Sequence, residues 1–118
     1  ISGVILTNTS NINRSSLKSS NKNQVGGLSG KPIRELSTRL IKKFYKELKE
    51  KAYIIGVGGV DSGKSAFEKI VAGANAVQLY TGMIYKGPGI VKAIKKELIE
   101  ILETEGIKNI KDAVGKDV

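Results

Sequence analysis

The chain has 118 residues, 40% of them hydrophobic and 26% charged, with a formal net charge of +9. That is enough polypeptide for one modest domain with a core of its own. The complete lack of Cys and His excludes disulfides, zinc sites of the Cys/His type and any Ser-His or Cys-His catalytic pair within this chain.

No apolar run approaches the ~20 residues needed to cross a bilayer. The start, Ile1-Ser-Gly-Val, has neither a charged leader nor a signal core. It lacks an initiator Met and enters a strand almost at once, so the expectation is a piece of a longer polypeptide. Residues 3–8 (GVILTN) form a short apolar run of the kind found in buried parallel strands. Thr9 to Asn23 is Ser, Asn, Lys and Arg with almost no apolar anchors. A polar loop this long is expected to be mobile, and residues 9–25 are assigned to it.

Gly26-Gly27-Leu28-Ser29-Gly30 is a glycine cluster that permits close approach of backbone to a ligand. Lys31-Pro32 opens a helix, with Ile33, Leu36, Leu40, Ile41, Phe44 and Leu48 at helical spacing on one face. The apolar run Tyr53–Val57 then ends abruptly in Gly58-Gly59, and a helix begins near Ser62. That helix presents Ala66, Phe67, Ile70 and Val71 inward and stops at Gly73. Residues 75–80 form a third strand, Met83 to Tyr85 a helical turn, and Pro88-Gly89 starts a last long helix. Its apolar face is Ile90, Val91, Ile94, Leu98, Ile101 and Leu102, and Asn109 can cap a short terminal helix.

The order is β-α-β-α-β-α without hairpin signals, which predicts an α/β architecture with parallel strands and crossing helices. The unusual chemistry falls at the carboxyl ends of the strands: Thr7-Asn8-Thr9, Gly58-Gly59 and Tyr80-Thr81-Gly82. Ligands bind at those ends in α/β folds. A glycine turn before a helix leaves backbone N–H groups free, so the first expectation is a phosphate cradle. The stretch Gly58 to Ser65 also satisfies the P-loop pattern G-x-x-x-x-G-K-[ST]. In that alternative Lys64 would reach nucleotide phosphates and Ser65 would hold magnesium. No strand here ends in the acid that a P-loop enzyme needs to hold the metal. The lysines, among them Lys42, Lys46, Lys49, Lys92 and Lys96, fall on predicted solvent-facing helix faces. They leave room for an anionic membrane surface as a partner, while the few aromatics give no nucleic-acid motif.

The runs TNT at 7–9, GGLSGKP at 26–32, IIGVGGVDSG at 54–63, AGANAVQLYTG at 73–82 and KDAVG at 111–115 resemble dihydroorotate dehydrogenase. Lys31-Pro32 after GGLSG is similar to the class 2, quinone-linked branch. The resemblance covers nearly the whole chain in the right order. It implies an FMN-dependent oxidoreductase of pyrimidine (UMP) biosynthesis, with residues 1–118 as the C-terminal three β/α units of a single (β/α)8 TIM barrel. By motif, Thr7 would contact FMN, Asn8 and Thr9 the pyrimidine of the substrate, and Gly30 would let backbone approach the flavin. Gly58 and Gly59 would face the FMN phosphate, with Tyr80 and Thr81 completing that site. The implied reaction converts dihydroorotate to orotate and reduces a quinone, in a parent enzyme held peripherally, if bacterial, at the cytoplasmic side of the cell membrane. The family's catalytic base is a serine upstream of these motifs, so no catalytic residue is assigned here, and no metal. Ser65 stands where relatives often carry Asp, and Ser10 where a second Thr is common. The piece alone is expected to be inactive and prone to self-association through its open sheet.

Overall fold

The computed structural model describes residues 1–11, 14–48 and 51–118. Part of the predicted 9–25 loop and Lys49 therefore lie outside the described residues. Three strands, β1 (Gly3–Leu6), β2 (Tyr53–Val57) and β3 (Ala76–Gln78), form a parallel sheet in sequence order. Val4 pairs with Ile54, Leu6 with Gly56, and Val57 with Gln78. The crossovers are α1 (Arg34–Leu48), preceded by a 3-10 turn at Lys31–Ile33, and α2 (Gly63–Val71). After β3 come α3 (Thr81–Lys86), α4 (Ile90–Thr104) and a 3-10 turn at Ile110–Ala113 capped by Asn109. The predicted β-α-β-α-β-α order holds. β3 is shorter than the expected 75–80, because the chain turns toward α3 from Leu79 onward.

The sheet alternates as period-2 geometry demands. Val4, Leu6 and Ile54 face the helices and pack with Ile41, Ala72, Ala74, Tyr45 and Leu48. A second cluster gathers Val60, Ala66, Ile90 and Ile94 between α2, α4 and the strand ends. A third gathers Ile70, Val71 and Ala113, where the last residues fold back over α2. Two apolar positions depart from the predicted stripes: Phe44 and Val91 are each 40% exposed, lying at the margins of their helical faces. Among the described residues the opposite sheet face has no helix on it, and Ile5 and Tyr53 are 58% and 69% exposed. β1 and β3 are edge strands among the described residues.

Candidate functional site

The three strand ends and the segment before α1 enclose a cleft of about 740 Å³. Thr7, Asn8 and Thr9 enter it after β1, Gly58 and Gly59 after β2, and Tyr80 and Thr81 after β3. Gly30 closes the ring from the turn that leads into α1. Every residue assigned to the cofactor and substrate site by the family motifs thus lines one cavity, with Leu17, Leu28, Val60 and Leu79 among its apolar walls, whereas Lys64 and Ser65 of the P-loop alternative do not line it.

Local bonding explains the arrangement. Ser10 and Leu28 exchange two backbone hydrogen bonds (3.0 and 2.7 Å), which fold the segment after β1 onto the glycine cluster. Arg14 donates to the carbonyls of Lys22 (3.1 Å), Gln24 (2.7 Å) and Gly26, gathering the polar loop around one guanidinium. Asn8 accepts the Thr9 N–H through its side-chain oxygen at 2.7 Å. Its amide N–H₂ remains as the donor end of the side chain. Thr7 follows a cis peptide from Leu6, and its hydroxyl lies 3.5 Å from the Val57 carbonyl. Gly30 has φ +77°, and a Cβ there would meet the Thr81 methyl at 2.9 Å. Ser29 and Thr81 hydroxyls hydrogen-bond across the same gap at 2.8 Å.

The turn after β2 is held from behind. Ser37, buried in α1, donates to the Val57 carbonyl at 2.5 Å. Arg34 donates through Nε to the Gly59 carbonyl (2.7 Å) and through Nη2 to the Asp61 carboxylate (2.5 Å). Lys69, with no exposed surface, donates to the Arg34 carbonyl (2.9 Å) and to the Thr38 hydroxyl (2.7 Å). Burial pushes its ammonium pKa down from 10.5 to about 8; the Arg34 charge adds to the fall and Glu68 opposes it. Sequence reading missed Arg34, Ser37 and Lys69, and only the helical spacing of Arg34 and Ser37 near the Ile33 stripe hinted that they face the sheet.

The P-loop alternative finds no support. The Ser65 hydroxyl is buried and accepts from the N–H groups of Asp61 (2.9 Å) and Ser62 (3.0 Å), while the Ser62 hydroxyl accepts the Ser65 N–H at 3.2 Å. That is a capping box at the start of α2. It engages the oxygen a magnesium ion would need, and Lys64 is exposed beside it.

The cleft fits a phosphorylated cofactor better than it fits a metal. Among the described residues, the N–H groups of Gly59, Val60 and Gly82 have no acceptor. A Cβ at Gly59 would lie 2.6 Å from the Arg34 Cβ, and one at Gly82 2.7 Å from the Val60 carbonyl, so these turns pass closer together than side chains allow. Free backbone donors on two adjacent turns suit a phosphate dianion. No three His, Cys, Asp or Glu side chains cluster as a metal site among the described residues.

Comparison with known proteins agrees with the motifs. The family model for dihydroorotate dehydrogenase matches residues 1–102. The chain belongs to the dihydroorotate dehydrogenase family. It is 43% identical, over 98% of its length, to the dihydroorotate dehydrogenase (quinone) of Deinococcus radiodurans, and spans 31% of that protein. Against the mitochondrial dihydroorotate dehydrogenase (quinone) of Mus musculus it is 45% identical over 99% of its length, spanning 30% of that protein. A crystal structure of the Eimeria tenella dihydroorotate dehydrogenase in complex with ferulenol matches with a TM-score of 0.96 and 43% identity. That match covers 99% of this chain and 31% of the other. The chain therefore spans about a third of the length of the family members it matches. Its three parallel β/α units belong to the TIM-barrel fold of this dehydrogenase family.

Proposed function

We propose that this chain is the C-terminal part of an FMN-dependent dihydroorotate dehydrogenase (quinone), which oxidises dihydroorotate to orotate in pyrimidine biosynthesis. Residues 1–118 then form one piece of a single FMN-binding (β/α)8 barrel whose other strands come from polypeptide outside them. One observation carries the reading: the cleft at the strand ends is lined by all of Thr7, Asn8, Thr9, Gly30, Gly58, Gly59, Tyr80 and Thr81.

In this reading the Gly58-Gly59 turn and the Tyr80-Thr81 turn bind the phosphate of FMN through backbone donors. Thr7 and Gly30 border the flavin, and Gly30 has no side chain to hold the ring away. The Asn8 amide and the Thr9 hydroxyl bind the pyrimidine, supplying a donor and an acceptor to a planar, amide-rich substrate. Bound FMN supplies the hydride-accepting redox chemistry that links the substrate to a quinone. The apolar walls at Leu28, Val60 and Leu79 exclude water from the cleft, which strengthens the polar contacts made inside it. The catalytic base lies upstream of these residues.

Among the described residues no helix is long and apolar enough to cross a membrane. In a bacterial parent the quinone partner meets the enzyme by peripheral association at the cytoplasmic face of the cell membrane, to which the +9 charge is suited. The segment by itself self-associates, because β1 and β3 offer open edges and Ile5 and Tyr53 are bare. Purified full-length polypeptide should carry FMN, released on denaturation, and reduce a quinone when given dihydroorotate. Protein that folds but holds no flavin would sink the reading.

A further inference from the structure

We infer that Arg34 is a positioning residue for the phosphate cradle, holding the Gly59–Asp61 turn from the side opposite the cleft. The inference rests on the phosphate reading of that turn given above.

The geometry is a two-pronged grip. One arm of the guanidinium takes the Gly59 carbonyl at 2.7 Å, and the other takes the Asp61 carboxylate at 2.5 Å. Gly59, Val60 and Asp61 line the cleft, and Arg34 does not. Across a trans peptide the carbonyl and the following N–H point in opposite directions. Fixing the Gly59 carbonyl on Arg34 therefore turns the Val60 N–H away from Arg34, toward the cleft side. That N–H is one of those without an acceptor among the described residues. The turn has positive φ at both Gly58 (+119°) and Gly59 (+74°), so its own backbone does not favour one setting of these peptide planes. An external clamp is what selects one.

The clamp is itself anchored. The Arg34 carbonyl accepts from Lys69 Nζ at 2.9 Å and from the Thr38 hydroxyl at 2.9 Å. Lys69 has no exposed surface, so α1 and α2 are tied together directly behind the turn. The Arg34 side chain is only 20% exposed and the Asp61 side chain 28%, which shields the pair from solvent. A guanidinium forks onto two acceptors in one plane, a geometry a lysine ammonium does not reproduce.

The test compares two flavins that differ only in the phosphate. Full-length apoprotein is titrated with FMN and with riboflavin, following flavin fluorescence, and the ratio of the two Kd values reports the phosphate site alone. Arg34→Met should lower the FMN preference by at least about tenfold, the loss of one charge-assisted contact, while riboflavin affinity stays within about twofold. Arg34→Lys should fail to restore it, and Asp61→Asn should lower it in the same direction. If Arg34→Met does not fold, Asp61→Asn decides in its place. An unchanged preference in a folded variant overturns the inference. Full restoration by Arg34→Lys overturns it too, because charge alone would then suffice. A wild-type protein that does not prefer FMN to riboflavin would instead overturn the phosphate reading beneath it, and that result is visible before any variant is made.

Discussion

The Ser29 and Thr81 hydroxyls lie 2.8 Å apart, joining the glycine cluster before α1 to the first residue of α3 across 52 positions of sequence. Gly30, next in the chain, lies so close that a Cβ would meet the Thr81 methyl at 2.9 Å. Two walls of the cleft are thus in direct contact, and the space between them has no slack for a side chain. Gly30→Ala must place a Cβ there and also hold φ near +77° with ψ near −153°, a region open only to glycine. The expected cost is about 1–3 kcal/mol of stability. On the proposed reading, flavin content of the purified full-length protein should fall with it. Thermal denaturation together with the flavin-to-protein absorbance ratio checks both.

Ser65 and Lys64 separate the capping reading from the nucleotide reading. Ser65→Ala removes the hydroxyl that accepts from Asp61 and Ser62, and should cost about 1 kcal/mol or somewhat more. Lys64→Ala changes an exposed side chain and should stay within about 0.5 kcal/mol. Urea denaturation of both variants measures this. Magnesium-dependent ATP binding that vanishes with Lys64→Ala would reverse the conclusion.

Lys69 gives the fold a pH dependence of definite sign. Its pKa is lowered by burial to about 8 in the folded protein against the ordinary lysine value of 10.5. Between those values the unfolded chain holds the proton and the folded chain does not, so stability rises with pH across that window. Below pH 8 the group is protonated in both states and adds no slope. The full span is of the order of 3 kcal/mol. Arg34 and Glu68 are the charges that act on it, in opposite directions. Lys69→Met should remove this rise between pH 8 and 10 in chemical denaturation of the full-length protein. A rise that persists undiminished would show that other groups cause it.

Arg14 organises the loop that follows Thr7-Asn8-Thr9. It holds the carbonyls of Lys22, Gln24 and Gly26, while Gly27 packs against Thr9. Arg14→Ala should expose the segment around residues 15–25 to limited proteolysis. On the proposed reading it should raise KM for dihydroorotate several-fold in the full-length protein, the loss of about 1 kcal/mol of preorganisation. On the same reading bound flavin should be retained, because the hydrogen bonds of Arg14 do not reach the Gly58-Gly59 turn. Loss of flavin together with the change in KM would show that the loop supports the whole cleft.

Local chemistry already determined much of this protein before any tertiary structure. The short apolar runs at 3–6 and 53–57, the stripes of α1, α2 and α4, and glycines at the turns are short-range signals. Each reports the conformation of its own few residues. Their order was enough to read parallel strands, and the motifs at the strand ends were enough to read the family. What remained hidden depends on residues distant in the chain. Lys69 reads as one more solvated lysine, yet the packing of α1 against α2 removes it from water and gives it the Arg34 carbonyl and the Thr38 hydroxyl. Arg34 grips Gly59 across 25 positions, and Ser29 meets Thr81 only because the strand order β1-β2-β3 brings their loops to one end. Ser65 fits a nucleotide motif letter by letter, and the N–H groups of Asp61 and Ser62 alone settle that its hydroxyl is a cap. Hydrogen bonds between distant segments exist only once the sheet has fixed their separation, and no periodicity along the chain encodes them.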